Sequence, residues 1–163
     1  MRKLWHLSTV VALIGLSAAT VAAADDATLL REANDRAEIQ ALMWRYVRAL
    51  DTLDADAYAS VFTENAKFGT TQGREALRGM ILGMKASREK RVADGAQPLV
   101  TYQTMSNMNI EFLSENRARL QAYYMAVIAG DPPRVATIGR EINDLVKVDG
   151  QWLIENRNVT PQD

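Results

Sequence analysis

The sequence predicts an α+β fold in which a curved antiparallel sheet wraps around N-terminal helices to form a cone-shaped barrel. Two observations carry this prediction. Apolar residues recur at helical spacing through the first part of the chain, and from Val100 onward they alternate with a period of two. Helices followed by a run of strands favour segregated α+β layers. A length of 163 residues is enough for one domain with a hydrophobic core.

The overall composition narrows the classes of function. Nineteen Lys and Arg balance twenty Asp and Glu, so the chain lacks the positive charge typical of nucleic-acid binding, and we expect no nucleic-acid partner. The absence of cysteine rules out disulfides, a thiolate nucleophile and cysteine-based zinc or iron–sulfur sites. The sequence has no glycine-rich phosphate loop, so we expect no nucleotide cofactor.

The N-terminus has the pattern of a secretory signal peptide. A basic start, Met1–Lys3, precedes an apolar run from about Leu7 to Leu16 and a small-residue stretch that ends at Ala24. We predict cleavage after Ala24 and export to the periplasm, with residues 25–163 as a single domain that has no further contact with the membrane. The alternative is that the segment is retained as an N-terminal membrane anchor.

Cleavage would also remove His6, the only histidine of the chain. Acid–base chemistry in the mature protein must then come from Asp, Glu, Tyr, Lys or Arg, and a histidine-based triad is impossible. A transition-metal site would need carboxylate ligands alone, and no carboxylates cluster at ligand spacing in the sequence. We therefore expect neither a metal ion nor another cofactor.

The helical half divides into three segments. An apolar stripe predicts an amphipathic helix over about residues 27–50. Asp54 is placed to cap a second, short helix through Phe62, and residues 66–68 are typical of a brief strand. Gly73 opens a third helix, in which we expect Arg88 to lie away from the apolar face.

The second half predicts four strands, Val100–Phe112, Ala118–Ala129, Arg134–Val148 and Gln151–Val159. Asp149-Gly150 is a strong two-residue hairpin signal. Both faces of these strands are partly apolar, so alternation alone does not decide which face lies inside. We expect one face to pack against the helices and the other to meet a second subunit, in a homodimer or homotrimer.

Five segments together resemble one known family: Asp35–Asp51, Asp54–Phe68, Gly73–Leu77, Gly139–Val146 and Asp149–Ile154. They are similar to the helices, first strand and closing hairpin of SnoaL-like domains, which belong to the nuclear-transport-factor-like superfamily. The resemblance extends over roughly residues 35–159. It implies a cone-shaped barrel that hosts isomerases, dehydratases, lyases, epoxide hydrolases and non-catalytic binding proteins, so it does not fix a reaction.

The same resemblance implies a set of site residues. Tyr46 lies where ketosteroid isomerases place an oxyanion-hole tyrosine, although Gly69-Thr70 replaces their basic aspartate. Asp51 lies where scytalone dehydratase and hexachlorocyclohexane dehydrochlorinase carry the aspartate of an Asp–His dyad, and Gln103 occupies the histidine position. Further residues that we expect to line the pocket are Tyr124, Ala126, Ile138, Arg140, Asn107, Asn156 and Asn158.

Each polar candidate also has a structural interpretation. Asp51 is either a general base with a raised pKa or a carboxylate that binds backbone amides at a helix end. Tyr46 either stabilises an oxyanion or packs in the core. Arg140 needs an anionic partner, which is either an acidic residue or a ligand. The structural alternatives for the other candidates are packing or turn hydrogen bonds for Tyr124 and Asn107, filling of the histidine space for Gln103, and strand-end caps for Asn156 and Asn158.

The resulting hypothesis is a cofactor-independent lyase for a small hydrophobic substrate. Asp51 would take a proton, and Tyr46 and Arg140 would hold the oxygen on which charge develops. From the family resemblance we expect dehydration, or formaldehyde release of the retro-aldol type from a lignin-derived aromatic compound. The alternatives are a ketosteroid-isomerase-like isomerase and a non-catalytic module for small-molecule binding or dimerisation.

Overall fold

The computed structural model describes residues 12–161, which divide into two units, residues 12–37 and 38–161. The first unit is helical throughout. The second completes the first helix and adds two further helices and a curved, open six-stranded sheet, so the α+β prediction is confirmed. The helices are α1 (Ala12–Thr52), α2 (Ala55–Ser60) and α3 (Arg74–Ala93). The strands are β1 (Phe62–Phe68), β2 (Thr71–Gln72), β3 (Thr101–Ser114), β4 (Arg117–Ile128), β5 (Arg134–Val148) and β6 (Gln151–Pro161).

The first helix is longer than the sequence predicts. It begins at Ala12 and runs through the predicted cleavage point after Ala24. Residues 1–11, which contain much of the predicted export signal, lie outside the described residues, so export and cleavage stay predictions. Between residues 12 and 161, no helix combines the length and the apolar character that a bilayer-spanning segment needs.

The connection from α2 into the sheet departs from the predicted helix by a few residues. Asp54 caps α2 as predicted, because its carboxylate accepts a hydrogen bond from Ala57 N at 3.0 Å. However, α2 ends at Ser60, and Phe62 already belongs to β1. The Phe62 side chain is fully buried, and its carbonyl accepts two hydrogen bonds from the Arg74 guanidinium. These interactions favour a strand at this position over another helical turn.

The strand order in the sheet is β2-β1-β6-β5-β4-β3. Neighbours from β3 to β6 pair antiparallel as predicted, whereas β1 pairs parallel with β6, which the sequence analysis missed. The Asp149-Gly150 hairpin is confirmed, since both residues have positive φ angles, 50° and 78°, as a type I′ turn requires. One long side of β3 forms an edge of the sheet.

One face of the sheet packs on the helices and forms the core. The buried aromatic and aliphatic side chains of this cluster begin at Ile39 in α1 and end at Ile154 in β6. Its largest fully buried members are Trp152, Tyr58, Phe62, Ile39, Leu42, Leu77, Ile81, Leu120, Leu145 and Ile154. We call this the inner face and the opposite one the outer face.

Gly139 in β5 is required by close packing. A Cβ atom at this position would lie 2.3 Å from the carbonyl oxygen of Thr160 and 2.7 Å from Cε1 of Tyr124. Gly139→Ala should therefore lower the free energy of unfolding by about 2 kcal/mol or more, measured by urea denaturation. The control is Gly79→Ala in α3, where a Cβ meets no atom within 4 Å. That change should raise stability by up to about 1 kcal/mol, and equal effects of the two substitutions would contradict this account.

Candidate functional site

Alternation along β5 decides which predicted residues can share a site. Glu141, Asn143 and Leu145 are buried on the inner face, whereas Ile138 is about half exposed and Arg140 is exposed. The predicted placement of Arg140 and Ile138 in the pocket is therefore corrected, because both side chains lie on the outer face. Both faces of β5 carry apolar residues, which is why the sequence alone did not resolve this point.

Asp51 lies near the end of α1, where it contacts the start of β3. Its side chain is only 7% exposed. Oδ1 accepts a hydrogen bond from the backbone N–H of Gln103 at 2.9 Å, and Oδ2 is 3.9 Å from Nη1 of Arg48. Close by, Nη2 of Arg88 donates to Oγ1 of Thr101 at 2.7 Å. The ends of α1 and α3 therefore bring one carboxylate and two guanidinium groups to the first residues of β3.

The environment of Asp51 raises the pKa of its carboxyl group. Burial raises the pKa of the carboxyl group, while the Gln103 N–H and the charges of Arg48 and Arg88 lower it in part, and the net shift is upward from 3.8. A carboxylate with a raised pKa is a better proton acceptor near neutral pH than an ordinary aspartate. The Asp51 carboxylate binds a backbone amide, but this amide belongs to Gln103 in β3 and not to the turn between α1 and α2. The role of Asp51 as a general base stays a prediction.

A largely apolar cavity lies between α1 and the edge strand β3, next to the Gln103 backbone that binds Asp51. Its volume is about 270 Å³, and we call it the α1–β3 groove. Met43 and Val47 of α1 line it and, with Asp51, form a series spaced by four residues along one side of the helix. Gln103 belongs to both features, because it lines the groove and its backbone binds Asp51. The remaining lining residues are Gln40, Trp44, Thr104, Met105 and Met108.

Tyr46 belongs to a different cluster. It is 2% exposed, and its ring contacts Tyr58 at a centroid distance of 5.3 Å and Phe62 at 6.1 Å. The Arg157 guanidinium lies 4.2 Å from the centre of the Tyr46 ring. Tyr46 and Asp51 are five positions apart on α1, which separates them by about 140° around the helix. Their contacts accordingly point to different parts of the sheet.

Arg157 is the centre of a buried polar network that the sequence analysis missed. Its Nη2 donates to Glu141 at 2.6 Å and its Nη1 to Asn143 at 2.7 Å, and the Asn143 amide donates to Glu141 at 3.1 Å. Burial alone would lower the pKa of Arg157, but Tyr46 and Glu141 outweigh it, so the pKa is raised. Burial, and then the neighbouring Tyr46, raises the pKa of Tyr58. The sequence signal for this network is the spacing from Leu145 in β5. If Leu145 is in the core, Asn143 and Glu141, two and four residues earlier in the strand, lie on the same buried face.

The other predicted residues are dispersed. Tyr124 and Ala126 are buried on the inner face, and the Tyr124 hydroxyl lies 3.5 Å from Oγ1 of Thr137. Asn156 donates to Asp144 at 3.3 Å, Asn158 is exposed, and Asn107 sits in an irregularity of β3 with a φ of 52°. The structure thus places Gln103 beside Asp51, while Tyr46, Arg140 and the three asparagines lie elsewhere.

Arg88 is the basic residue of this site that sequence reasoning missed. The prediction that Arg88 lies off the apolar face of α3 is wrong, because Arg88 follows Leu77, Ile81 and Met84 at intervals of four, three and four residues. That spacing puts Arg88 on the same side of the helix as the core residues. Within residues 12–161, no group of three or more acidic or histidine side chains is arranged to hold a metal ion.

The family of this chain follows from comparison with known proteins. The model of the SnoaL-like domain matches residues 31–158. The chain belongs to the SnoaL-like family. The SnoaL-like resemblance stated from the sequence is therefore confirmed. A comparison with curated proteins found no significant match.

Several solved structures share the fold. A "putative scytalone dehydratase" from Novosphingobium aromaticivorans is 23% identical, with a TM-score of 0.65 over 82% of this chain and 87% of that one. An NTF2-like protein with a cystatin-like fold from the same organism is 20% identical, with a TM-score of 0.69 over 84% and 88%. A "putative aromatic ring hydroxylase", also from N. aromaticivorans, is 21% identical, with a TM-score of 0.62 over 80% and 90%. At these identities the likeness establishes the fold of this SnoaL-like protein.

The raised pKa of Asp51 can be measured directly. In a carbon-13 NMR titration of the side-chain carboxyl, Asp51 should titrate above 3.8, and Arg88→Gln should move its pKa further upward because a favourable charge is lost. The control is Arg91→Gln, an exposed change in α3 that should leave the titration unaltered. A pKa at or below 3.8 would contradict the described environment.

The raised pKa also sets the sign of a stability effect. The folded-state pKa of Asp51 exceeds its unfolded-state pKa, and the pH range between these two values is the window of interest. Above this window ionised Asp51 lowers the free energy of unfolding, and below it Asp51 has no such effect. The stability of wild type relative to Asp51→Asn should thus decrease as pH rises through the window. Urea denaturation at several pH values measures this, and a difference that increases with pH would be the contrary result.

The buried Glu141–Arg157 pair should matter far more than an exposed pair. Glu141→Gln leaves a buried guanidinium without its counter-charge and should lower the free energy of unfolding by about 3 kcal/mol. Glu155→Gln, which removes the partner of Arg117 in a solvent-exposed pair, should change it by less than about 1 kcal/mol. Chemical denaturation of both variants tests the difference. Similar decreases in the free energy of unfolding for the two variants would mean that the buried pair contributes no more to stability than the exposed pair.

Proposed function

We propose that this SnoaL-like protein is a cofactor-independent lyase that acts on a small aromatic substrate bound in the α1–β3 groove. The observation that carries the proposal is the Asp51 carboxylate, nearly buried beside an apolar groove and held by the Gln103 N–H. The groove presents Met43, Met105 and Trp44, which are side chains suited to contact with a flat ring. The names of the solved neighbours, a "putative scytalone dehydratase" and a "putative aromatic ring hydroxylase", agree with aromatic chemistry.

In this proposal Asp51 acts as the general base. For a dehydration, it removes a proton from carbon, the electron pair forms the new double bond, and the C–O bond breaks. The leaving hydroxyl takes the proton from Asp51 and departs as water, which restores the carboxylate. For formaldehyde release, Asp51 removes the hydroxyl proton of a hydroxymethyl group, and the C–C bond breaks to release formaldehyde. The electron pair stays on the benzylic carbon, where the ring stabilises it by delocalisation, until protonated Asp51 returns the proton to that carbon. Either step needs a substrate with its leaving group next to the abstracted proton.

Arg88 replaces Arg140 as the residue proposed to stabilise negative charge. Its guanidinium is half-buried, acts on the Asp51 carboxyl and is anchored on Thr101, whereas Arg140 is on the outer face. A fixed guanidinium that faces a developing oxyanion lowers the barrier without reorganisation. Tyr46 has no part in the proton transfer, since its ring is packed against Tyr58, Phe62 and Arg157.

A binding module without catalysis is the second candidate. The observation that favours it is the lining of the groove, where Met, Val and Trp side chains outnumber groups that can transfer a proton. A binder would hold the same aromatic ligands without converting them. An isomerase would also use Asp51, but would return the proton to the substrate instead of losing water or formaldehyde.

Turnover assays separate these functions. Purified protein is incubated without added cofactor with a panel of phenolic dimers and hydroxylated aromatics, and product is detected by mass spectrometry. Asp51→Asn should reduce kcat by about 10²–10⁴-fold because the general base is lost. Arg88→Gln should also reduce kcat. The matched controls Asp56→Asn and Arg91→Gln, both exposed, should leave it unchanged.

The products identify the reaction. A mass loss of water or formaldehyde supports the lyase, and an isomer of equal mass supports the isomerase instead. Saturable binding with no product across the panel favours the non-catalytic module. Full turnover by Asp51→Asn would overturn the assignment of the base.

A further inference from the structure

A second cavity lies on the outer face of the sheet, away from the helices. It has a volume of about 420 Å³ and is formed where β3, β4, β5 and β6 lie side by side. We call it the outer-face cavity. Its polar and charged lining residues are Asn107, Asn109, Gln121, Tyr123, Arg140, Glu141 and Thr160, and Ile142 adds aliphatic surface.

Strand irregularity gives this part of the face its amide groups. The pairing of β3 with β4 shifts between Ser106 and Asn109, and Asn107 has a φ of 52° within the shift. Such a bulge bends the strand and redirects the side chains on it. Regular pairing of β4 with β5 places Tyr123 opposite Arg140 and Gln121 opposite Ile142. The cavity therefore combines a guanidinium, amides, a phenol and an aliphatic side chain.

Arg140 is the cation of this cavity, and it has no protein counter-charge. Between residues 12 and 161, its side chain makes no ion pair or hydrogen bond. Other arginines of the outer face are paired, since Arg119 binds Asp144 at 2.8 Å and Arg117 binds Glu155. Glu141, the neighbour of Arg140 in the chain, is turned to the inner face, where it binds Arg157.

We propose that the outer-face cavity binds a small organic anion with an aromatic body, of which an aryl carboxylate is the simplest. The Arg140 guanidinium offers paired N–H donors that match a carboxylate. Amide groups of Asn107, Asn109 and Gln121 can donate to the same oxygens, and the Tyr123 ring and Ile142 cover the aromatic part. The cavity volume falls in the range usual for small-ligand sites.

This site is separate from the proposed lyase site. Arg140 projects from the outer face, whereas Asp51 and Arg88 meet at the start of β3 by the helices. In the described part of the chain, the one carboxylate residue that lines the outer-face cavity, Glu141, is paired with Arg157 and is therefore not available as a proton acceptor for a ligand there. We therefore assign it binding and no turnover.

The experiment uses benzoate as the probe and the uncharged benzamide as its isostere, titrated calorimetrically into the full chain. Benzoate should bind to wild type, and binding should weaken about tenfold or more with benzamide or in Arg140→Gln, because charge-assisted hydrogen bonds are lost. Arg119→Gln removes a neighbouring outer-face cation that already has a partner, so it should bind benzoate as wild type does. Asp51→Asn should also bind normally, which separates this cavity from the α1–β3 groove.

Several results would overturn the proposal. These are absence of benzoate binding, equal weakening in Arg119→Gln, equal affinity for benzamide, or loss of binding in Asp51→Asn. Sedimentation velocity on the same samples tests whether a second copy covers the face instead. Self-association that Arg140→Gln abolishes and benzoate does not affect would assign the cavity to a subunit interface. Circular dichroism of each variant confirms that the comparison is between folded proteins.

Discussion

The pairing of Arg157 with Glu141 is the constraint on which the two faces of the sheet depend. A buried guanidinium needs a counter-charge and hydrogen bonds, and Glu141 and Asn143 provide these to the two terminal nitrogens of Arg157, while its Nε has no hydrogen-bond partner among the described residues. A shift of one residue between β5 and β6 would turn Glu141 to solvent and leave Arg157 unpaired. The pair therefore favours one register, and that register determines that Arg140 projects outward.

Asp51 illustrates a second balance, between solvation and charge. Burial disfavours its ionised form, and one backbone N–H and two arginines partly offset that effect. The net effect is a pKa raised above that of an ordinary aspartate. A similar balance is what general acid–base chemistry requires.

Much of the fold could be predicted from the sequence, because its periods are clear. Helical spacing, the Asp54 cap and the Asp149-Gly150 turn each have a local cause and were placed correctly. The parallel pairing of β1 with β6 depends on long-range packing of Phe62, which no local pattern reveals. The site was predictable only in part. Asp51 and Gln103 came from the family resemblance, whereas the placement of Arg140 required knowledge of which face of β5 is buried.

The α1–β3 groove carries its own optical reporter. Trp44 lines it and is 66% exposed, whereas Trp152 is 2% exposed and lies deep in the core. Indole emission depends on contact with solvent, so the two tryptophans of residues 12–161 emit from opposite environments. A quencher dissolved in the buffer would reduce the fluorescence of Trp44 and leave that of Trp152 unchanged. Ligand binding in the groove can thus be followed by the intrinsic fluorescence of Trp44, with no dye attached.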